Sequence, residues 1–227
     1  MKRVLIVAAH PDDEVLGCGA TISKYRATGS VFRVLFVAEG SSCRFDSPSD
    51  VLADAAKVQR TASAERAMQL LGIDEFEFNN LPCGRLDQVP ILDVNKIIER
   101  AVRDFAPDTV LTHAEHDVNN DHRIVFRSTL MATRPGAKNH VARVLSYEVP
   151  SSSEWSYSSQ FLPNLFEEIF EKDLLQKCLA LDCYESEVRP FPFPRSQQGL
   201  QTLAMFRGMQ AGLKYAEAFQ LVREFRR

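Results

Sequence analysis

Apolar runs alternate with stretches of helical spacing over the first two thirds of the chain. Residues 4–9 and 31–38 are apolar and rich in β-branched side chains, as is typical of strands covered on both faces. Residues 108–112 predict a third such strand and residues 76–78 a shorter one. Apolar side chains recur at helical spacing in residues 15–26, 52–71, 91–105 and 124–130. Strands that alternate with helices predict βαβ units, a mostly parallel sheet and right-handed crossovers.

The pattern changes after about residue 143. Residues 144–147 predict one more strand, and residues 151–157 a polar and aromatic loop. Helices are predicted over 165–181 and, as one or two segments, over 199–225, with a proline-interrupted loop at 189–195 between them. The sequence therefore predicts a single domain over residues 1–227, an α/β fold whose helical C-terminal third packs on the sheet and walls its functional edge.

Composition and charge narrow the class of protein. The 227 residues carry 27 Lys and Arg against 30 Asp and Glu, a net charge of −3, without a basic block, which argues against nucleic acid as a partner. The first apolar run is too short for a signal peptide, and no window approaches the length of a membrane span. The five cysteines include no Cys-x-x-Cys pair, so we expect reduced thiols in a cytoplasmic protein. A homo-oligomer is compatible with this composition.

An imidazole and three carboxylates directly follow the first predicted strand. The segment Ala9-His10-Pro11-Asp12-Asp13-Glu14 lies between that strand and the first predicted helix. Ligand sites of open α/β sheets lie at the carboxyl ends of the strands, and a carboxylate pair beside a histidine there suits a bound metal ion. The alternative is a turn with a helix N-cap, in which Asp12 or Asp13 caps the helix and Glu14 stabilises its first turn.

A second cluster of histidines and acidic residues follows the strand predicted at 108–112. It runs from Thr112 to Arg123, contains His113, His116 and His122, and leads into the helix predicted at 124–130. In a parallel sheet both clusters emerge at the same edge. Zinc hydrolases commonly use three His and carboxylate ligands and leave a fourth position for water. His10 and Asp13 with one histidine of the second cluster would complete such a set, whereas His113 and His116 could equally be surface or hydrogen-bonding residues.

The two clusters resemble the motifs of a known family. Residues 9–14 look like the AHPDDE motif of the LmbE-like, or PIG-L-like, metal-dependent N-deacetylases. Asn119-Asn120-Asp121-His122-Arg123 resembles the second motif of that family. The resemblance continues through residues 70–72, 146–152, 192–196 and 216–219, and therefore covers essentially the whole chain.

The resemblance implies a Rossmann-like three-layer α/β fold and a zinc-dependent hydrolase. The expected reaction removes the acetyl group from a small-molecule N-acetylated sugar or glycoconjugate of the N-acetylglucosamine type. One Zn²⁺ per chain is implied, held by His10, Asp13 and His122, and other divalent first-row metals can substitute at such ligands. Asp12 is the implied general base and acid, and Glu14 is assigned to orienting the loop.

Two positions depart from the family pattern and bear on substrate contacts. Asn119 stands where many members have a histidine that polarises the scissile carbonyl, and its amide can donate a hydrogen bond but carries no charge. We predict Asn119 as the catalytic donor, with His113 or His116 as alternative donors and a plain turn residue as the alternative role. Phe193 replaces a frequent histidine in the C-terminal motif. Arg195, in the same motif, is the predicted cationic substrate contact, and His113 is predicted as a second one.

Two other functions are compatible with the sequence. Gly17-Cys18-Gly19 could belong to a nucleotide-binding Rossmann protein, but the glycines come late, Ile22 replaces the third glycine, and acidic side chains occupy the turn where a pyrophosphate would sit. These small residues are predicted instead to let the first helix pack closely on the sheet. The other alternative is a metal-binding member without catalysis, which only Asn119 supports.

Overall fold

The computed structural model describes residues 1–47, 50–136 and 141–226. The elements within these ranges are β1 (Arg3–Ala8), α1 (Asp13–Arg26), β2 (Val31–Ala38), α2 (Val51–Leu71), β3 (Glu75–Leu81), α3 (Ile91–Phe105), β4 (Thr109–His113), α4 (Asn120–Ala132), β5 (Arg143–Tyr147), β6 (Leu165–Glu168), α5 (Glu171–Asp182), α6 (Gln197–Ala211) and β7 (Ala216–Glu224). Single 3-10 turns lie at Ser42–Arg44, Leu86–Gln88 and Ser153–Trp155. Within the same ranges, no helix combines the length and the apolar character that a membrane span requires.

The strands form one sheet in the order β3-β2-β1-β4-β5-β7-β6. The strands from β3 to β5 run parallel, whereas β7 and β6 pair antiparallel at one end of the sheet. The predicted α/β class with a mostly parallel sheet is confirmed. The chain proceeds from β1 toward β2 on one side and toward β4 on the other, so the loops after β1 and β4 lie side by side at a topological switch point.

Helices cover both faces of the sheet and produce three layers. On one face, Val4, Ile6 and Ala8 of β1 pack with buried side chains of α1, α2, α5 and α6. On the other face, Leu5 and Val7 pack with buried side chains of α3 and α4. Alternate residues of β1 thus belong to two separate cores, and this explains why its sequence is apolar without interruption.

The helix predictions in the C-terminal third are wrong in part. Residues 165–168 form β6, so the helix predicted over 165–181 is confirmed only for α5. Helix α6 ends at Gly212, which has a φ of 71°, and residues 216–224 form β7 instead of helix. β7 pairs with β5 from Tyr147↔Phe219 to Arg143↔Glu224. Pairing outweighs local periodicity here because β5 would otherwise expose a row of unpaired backbone groups at a sheet edge.

Helix α1 is interrupted at Cys18, whose φ of −147° and ψ of 20° are not helical. Before the break, the carbonyl of Leu16 accepts a hydrogen bond of 2.8 Å from Lys177 Nζ. After it, two backbone N–H groups of α1 donate to the carboxylate of Glu217 at 3.1 and 2.6 Å. The buried Lys177–Glu217 ion pair, 2.5 Å long, therefore satisfies backbone groups that the break leaves without helical partners.

Gly17 lets α1 pack closely on the sheet, as predicted, whereas Gly19 lets it pack closely on another helix. A Cβ at Gly17 would lie 2.2 Å from the ring of Tyr147 on β5. A Cβ at Gly19 would lie 3.1 Å from Cγ of Lys177 on α5. Both glycines lie inside the helix, away from its N-terminus, and this placement disfavours the nucleotide-binding alternative.

Candidate active site

The loop after β1 carries four buried polar side chains to the edge of the sheet. His10, Asp12, Asp13 and Glu14 are each at most 6% exposed. Helix α1 begins at Asp13, and Asp12 occupies the N-cap position without a side-chain capping hydrogen bond. Asp13 Oδ2 instead accepts from the backbone N–H of His10 at 2.7 Å. The alternative of a simple capped turn is therefore disfavoured for Asp12.

The loop after β4 brings the second cluster to the same place. His122 lies in the first turn of α4 and is 1% exposed. Its ring centroid is 5.4 Å from that of His10. The structure thus brings together side chains that lie more than a hundred residues apart in sequence, as the parallel topology predicts.

His10, Asp13 and His122 present ligand atoms around one point. Asp13 Oδ1 is 3.4 Å from His122 Nε2, and Asp13 Oδ2 is 3.6 Å from His10 Nδ1. Tetrahedral zinc with bonds of about 2.0–2.2 Å places its ligand atoms roughly 3.3–3.6 Å apart. Asp13 Oδ1 is buried and has no hydrogen-bond partner among the described residues. An orphaned carboxylate oxygen beside an imidazole, on a carboxylate whose other oxygen lies near a second imidazole, fits a divalent metal ion.

Each of the two histidines has a carboxylate on its other ring nitrogen. His10 Nε2 lies 2.9 Å from Asp121 Oδ2, and His122 Nδ1 lies 3.2 Å from Asp117 Oδ2. Such carboxylates fix the tautomer and orientation of metal-binding imidazoles. Asp117 is itself held by the hydroxyls of Ser152 and Ser153 and by the backbone N–H of Asn119. The sequence analysis did not assign roles to Asp117 and Asp121, although both lie in the second cluster.

Charge at the site favours a cation. Burial raises the pKa of Asp13, but the imidazoles of His122 and His113 lower it well below its usual range. Burial lowers the pKa of His10, but the carboxylates of Asp121 and Asp13 raise it to about 10. Three buried carboxylates, those of Asp13, Asp117 and Asp121, lie beside the rings of His10 and His122. A metal ion would compete with protons for the ring nitrogens and carboxylate oxygens of this cluster.

Asp12 lies beside the three ligand residues and is held by two arginines. Its Oδ2 is 2.9 Å from Arg60 Nη2 and 2.7 Å from Arg195 Nη1. Burial raises the pKa of Asp12 above its ordinary value, and the two arginines oppose that shift. Glu14 Oε2 accepts from the backbone N–H of Asp12 at 2.9 Å, in agreement with the loop-orienting role predicted for Glu14. A raised pKa makes this carboxylate a stronger base near neutral pH.

Arg195 reaches the site from the loop before α6. Besides Asp12, it contacts Glu187 Oε2 at 3.1 Å and Ser151 Oγ at 2.5 Å. Arg60 of α2 also pairs with Glu187 and is 3% exposed. Sequence reasoning missed Arg60 and Glu187, because an arginine inside an amphipathic helix gives no sign that it is buried.

Asn119 is the N-cap of α4. Its Oδ1 accepts from the backbone N–H of Asp121 at 2.9 Å, as an N-cap residue typically does. This hydrogen bond uses the carbonyl oxygen and leaves the amide N–H₂ for a different partner. The structure therefore shows the turn role and leaves the donor role a prediction.

His113 and His116 occupy very different environments. His113 is fully buried, and its Nε2 accepts from the backbone N–H of Ala9 at 2.8 Å. Its ring stacks on that of His122 with centroids 4.0 Å apart. His113 therefore packs against His122 in the protein interior and supports its ring. The side chain of His116 is 58% exposed beside Glu115 and takes no part in the cluster.

Comparison with known proteins agrees with this geometry. The sequence profile of the PIG-L family, described as GlcNAc-PI de-N-acetylase, matches residues 5–133. The chain belongs to the PIG-L family. Its relatives include the uncharacterized deacetylase YaiS of Escherichia coli K12, 26% identical over 190 residues that cover 82% of this chain and 91% of YaiS. The diacetylchitobiose deacetylase of Thermococcus kodakarensis is 24% identical over 230 residues, covering 98% of this chain and 84% of that enzyme.

The PIG-L fold is also found in an enzyme of another class. GalB, the 4-carboxy-2-hydroxymuconate hydratase of Pseudomonas putida KT2440, superposes with a TM-score of 0.77 at 23% identity, over all of this chain and 98% of GalB. At that identity the likeness shows the fold alone. Membership in the PIG-L family confirms the resemblance seen in the two motifs and the predicted enzyme class, a hydrolase of the N-deacetylase type.

Proposed function

We propose that this protein is a zinc-dependent hydrolase that removes the acetyl group from an N-acetylated sugar or sugar conjugate. The observation that carries the proposal is the buried triad of His10, Asp13 and His122 beside Asp12, in which the Asp13 carboxylate lies 3.6 Å from His10 Nδ1 and 3.4 Å from His122 Nε2. A zinc ion held by the three residues would supply Lewis acidity and lower the pKa of a coordinated water to about 7.

Asp12 carries the proton transfers in this proposal. Its carboxylate accepts a proton from the attacking water and passes that proton to the departing sugar amine. Arg60 and Arg195 hold the carboxylate in place through contacts of 2.9 and 2.7 Å. Glu14 holds the backbone of Asp12. Asp12 can therefore act without moving its main chain.

Substrate contacts are proposed at Asn119 and Arg195. The amide N–H₂ of Asn119 is the proposed donor to the oxygen on which negative charge develops. Arg195 is the proposed cationic contact to a hydroxyl or phosphate group of the substrate, because its guanidinium is only partly buried, with 17% of the side chain exposed. His113 supports the ring of His122, and its predicted role as a substrate contact stays a prediction.

The substrate class follows from the family and the relatives. The family description names a GlcNAc conjugate and one relative is a diacetylchitobiose deacetylase, so we propose an N-acetylglucosamine-type sugar. Iron, cobalt or manganese are alternative metals, since N/O ligands discriminate poorly among first-row ions. The cytoplasmic location and a homo-oligomeric state stay predictions.

The decisive experiment measures acetate released from a set of N-acetylated sugars and their nucleotide or lipid conjugates by the metal-loaded enzyme. We expect release from at least one sugar, at a rate that falls about 10²- to 10⁴-fold in the Asp12→Asn variant with the same metal content. Metal-loaded protein that releases no acetate from any member of the set would support a non-catalytic member or a hydratase. Equilibrium dialysis against NAD or S-adenosylmethionine tests the nucleotide-binding alternative, for which we expect no binding.

A further inference from the structure

Two cysteine side chains meet at the edge of the candidate active site. Cys43 Sγ and Cys83 Sγ lie 2.9 Å apart, with the Cys83 thiol donating to Cys43. Cys43 lies in the 3-10 turn Ser42–Arg44, and Cys83 in the loop after β3. Both are free thiols. A disulfide has an S–S distance of about 2.0–2.1 Å, so the two sulfurs need to approach each other by only about 1 Å.

Glu39 fastens both cysteine-bearing segments to the end of β2. Its carboxylate accepts from the backbone N–H groups of Ser41 and Ser42 at 2.7 and 3.0 Å, on the Cys43 side. It also accepts from the backbone N–H of Cys83 at 2.9 Å. One buried carboxylate therefore sets the position of both thiols, so their proximity does not depend on the contact between the sulfurs.

Gly84 allows the close approach of the two segments. It has a φ of +71°, and a Cβ there would lie 3.0 Å from Cβ of Cys43. A larger residue would be strained in this left-handed conformation and would push Cys43 away. The backbone N–H of Gly84 also donates to Asp121 Oδ2 at 2.6 Å. Cys83 is thus the neighbour in sequence of a residue that binds the carboxylate of Asp121, which orients His10.

We propose that Cys43 and Cys83 are an oxidation site at which a hydroperoxide converts the two thiols into an intramolecular disulfide. In the first step the Cys43 sulfur attacks the O–O bond of hydrogen peroxide, becomes a sulfenic acid (S–OH), and one water leaves. In the second step the Cys83 sulfur attacks the sulfenic sulfur. The S–O bond breaks, the S–S bond forms, and the hydroxyl leaves as a second water with the Cys83 proton. The thiols lose two electrons and the peroxide gains them.

The difference in exposure between Cys43 and Cys83 decides which thiol reacts with the peroxide and which one then forms the disulfide. Of the five cysteines, all of which lie in the described ranges, only Cys43 is exposed, whereas Cys83 is 4% exposed. An oxidant therefore meets Cys43 first, and Cys83 is the resolving thiol beneath it. The hydrogen bond from Cys83 also lowers the pKa of Cys43 to about 6, and the thiolate is the form that reacts.

A second metal site is the competing explanation for the buried thiol. Cys83 Sγ, a ring nitrogen of His10 and a carboxylate oxygen of Asp121 all lie within 4.8 Å of one another and could hold an ion. Oxidation is favoured instead, because His10 Nε2 and Asp121 Oδ2 already pair with each other at 2.9 Å, and the Cys83 sulfur contacts Cys43, which is not part of that metal-binding set.

The test treats metal-loaded, fully reduced protein with hydrogen peroxide, then denatures it and alkylates it with N-ethylmaleimide for mass spectrometry. We expect three of the five thiols to be alkylated, a cross-linked peptide that contains Cys43 and Cys83, and five alkylated thiols again after reduction with dithiothreitol. The Cys83→Ser variant should accumulate a sulfenic acid at Cys43 that dimedone traps. The Cys43→Ser variant, changed at an exposed position, should keep all four remaining thiols.

Cys183→Ser is the matched control, because this half-buried thiol lies at the end of α5. Its variant should still form the 43–83 cross-link. Five alkylated thiols after peroxide, a sulfinic acid at Cys43 with Cys83 still free, or dimers joined through Cys43 would each overturn the proposal. A second equivalent of Zn²⁺ that protects both thiols from peroxide and is lost in Cys83→Ser would also overturn it. None of these outcomes depends on deacetylase activity, so the result is separate from the test of the proposed function.

Discussion

Asp12 combines an unfavourable backbone conformation with a buried charge. Its φ of 125° lies in a region that residues other than glycine rarely adopt, and such a conformation typically costs about 1–3 kcal/mol. The hydrogen bond from its N–H to Glu14 and the contacts with Arg60 and Arg195 hold it there. Three partners thus maintain a strained conformation beside a buried cluster of histidines and carboxylates. Such strain is typical of a functional residue.

We predict that Asp12→Asn retains metal but lowers kcat by about 10²- to 10⁴-fold, the usual cost of losing a positioned general base. The amide can keep contacts to the arginines but cannot accept the proton of water. The measurement is kcat together with metal content by elemental analysis. A variant with bound metal and wild-type kcat would reduce Asp12 to a structural residue.

Two substitutions of Asn119 separate its capping role from its proposed donor role. Asn119→Ala removes both and should lower the free energy of unfolding by about 0.5–2 kcal/mol, the usual cost of losing an N-cap. Asn119→Asp keeps the capping oxygen and removes the amide donor. If the donor role is correct, both variants should lower kcat, by about 10²- to 10³-fold. Wild-type kcat in Asn119→Asp would leave Asn119 as a cap alone.

At the scale of elements, the broken helix α1 depends on a buried ion pair from elsewhere in the chain. The side chains of Lys177 and Glu217 are 6% and 5% exposed, and between them they bind three backbone groups of α1. The break shifts the direction of α1 shortly after the residues of the first loop. The geometry of that loop therefore depends on Lys177 of α5 and Glu217 of β7.

We predict that Lys177→Met lowers the free energy of unfolding by about 3–5 kcal/mol, because it leaves the Glu217 carboxylate buried without its cation. The double variant Lys177→Met with Glu217→Gln should recover part of that loss, since no net charge is then buried. Urea denaturation of both variants checks this. A single-variant loss below about 1 kcal/mol would show that the pair is dispensable.

The elements that could be predicted from sequence are those whose local pattern agrees with their tertiary surroundings. The residues of β1 and β2 face two cores, so both strands are apolar except at Arg3 and Arg33, and α3 keeps one buried face. The prediction of helix over residues 216–224 is wrong because β7 is defined by its pairing with β5 and β6. A pairing partner of distant sequence leaves no signal in local periodicity.

In the candidate site, too, residues with a local sequence signal could be predicted, and residues placed by tertiary packing could not. The proximity of His10, Asp13 and His122 could be predicted because each belongs to a motif in the segment after a parallel strand, and the structure brings the three together. Arg60 and Glu187 could not be predicted, since only tertiary packing brings Arg60 of α2 to Asp12 and brings Glu187, in the loop after α5, to Arg60. The burial of His113 and its stacking on His122 also come from tertiary packing, and its predicted role as a substrate contact stays a prediction.

At the scale of the whole molecule, Glu187 joins three separate segments. It pairs with Arg44 of the Ser42–Arg44 turn, Arg60 of α2 and Arg195 of the loop before α6. Burial raises the pKa of Glu187, but the hydrogen bond from Arg44 and the charges of Arg60 and Arg195 lower it to about 2. These contacts connect the walls of the site to one another.

The lowered pKa predicts an acid-sensitive contribution to stability. Because the folded state keeps Glu187 ionised more strongly than the unfolded state does, its contribution is complete above the ordinary pKa of 4.5 and is lost as pH falls toward about 2. Glu187→Gln should therefore be less stable than wild type at pH 7, with a difference that shrinks below about pH 4. Urea unfolding at pH 7 and below about pH 4 measures the difference in the free energy of unfolding between wild type and variant. Glu115→Gln, changed at an exposed position, is the control. A difference that does not change with pH would contradict the assignment.

The metal site joins the two loops that follow β1 and β4, so metal binding should stabilise the whole fold. A ligand at a hundred times its Kd stabilises the folded state by about 2.7 kcal/mol, which for a domain of this size raises Tm by roughly 5–10 °C. We predict that EDTA lowers Tm of the wild-type protein by this amount.

His122→Ala should contain little metal and should show no shift with EDTA. His116→Ala, changed at an exposed position outside the cluster, should behave as wild type. Stoichiometric metal in His122→Ala would overturn the assignment of His122 as the third ligand.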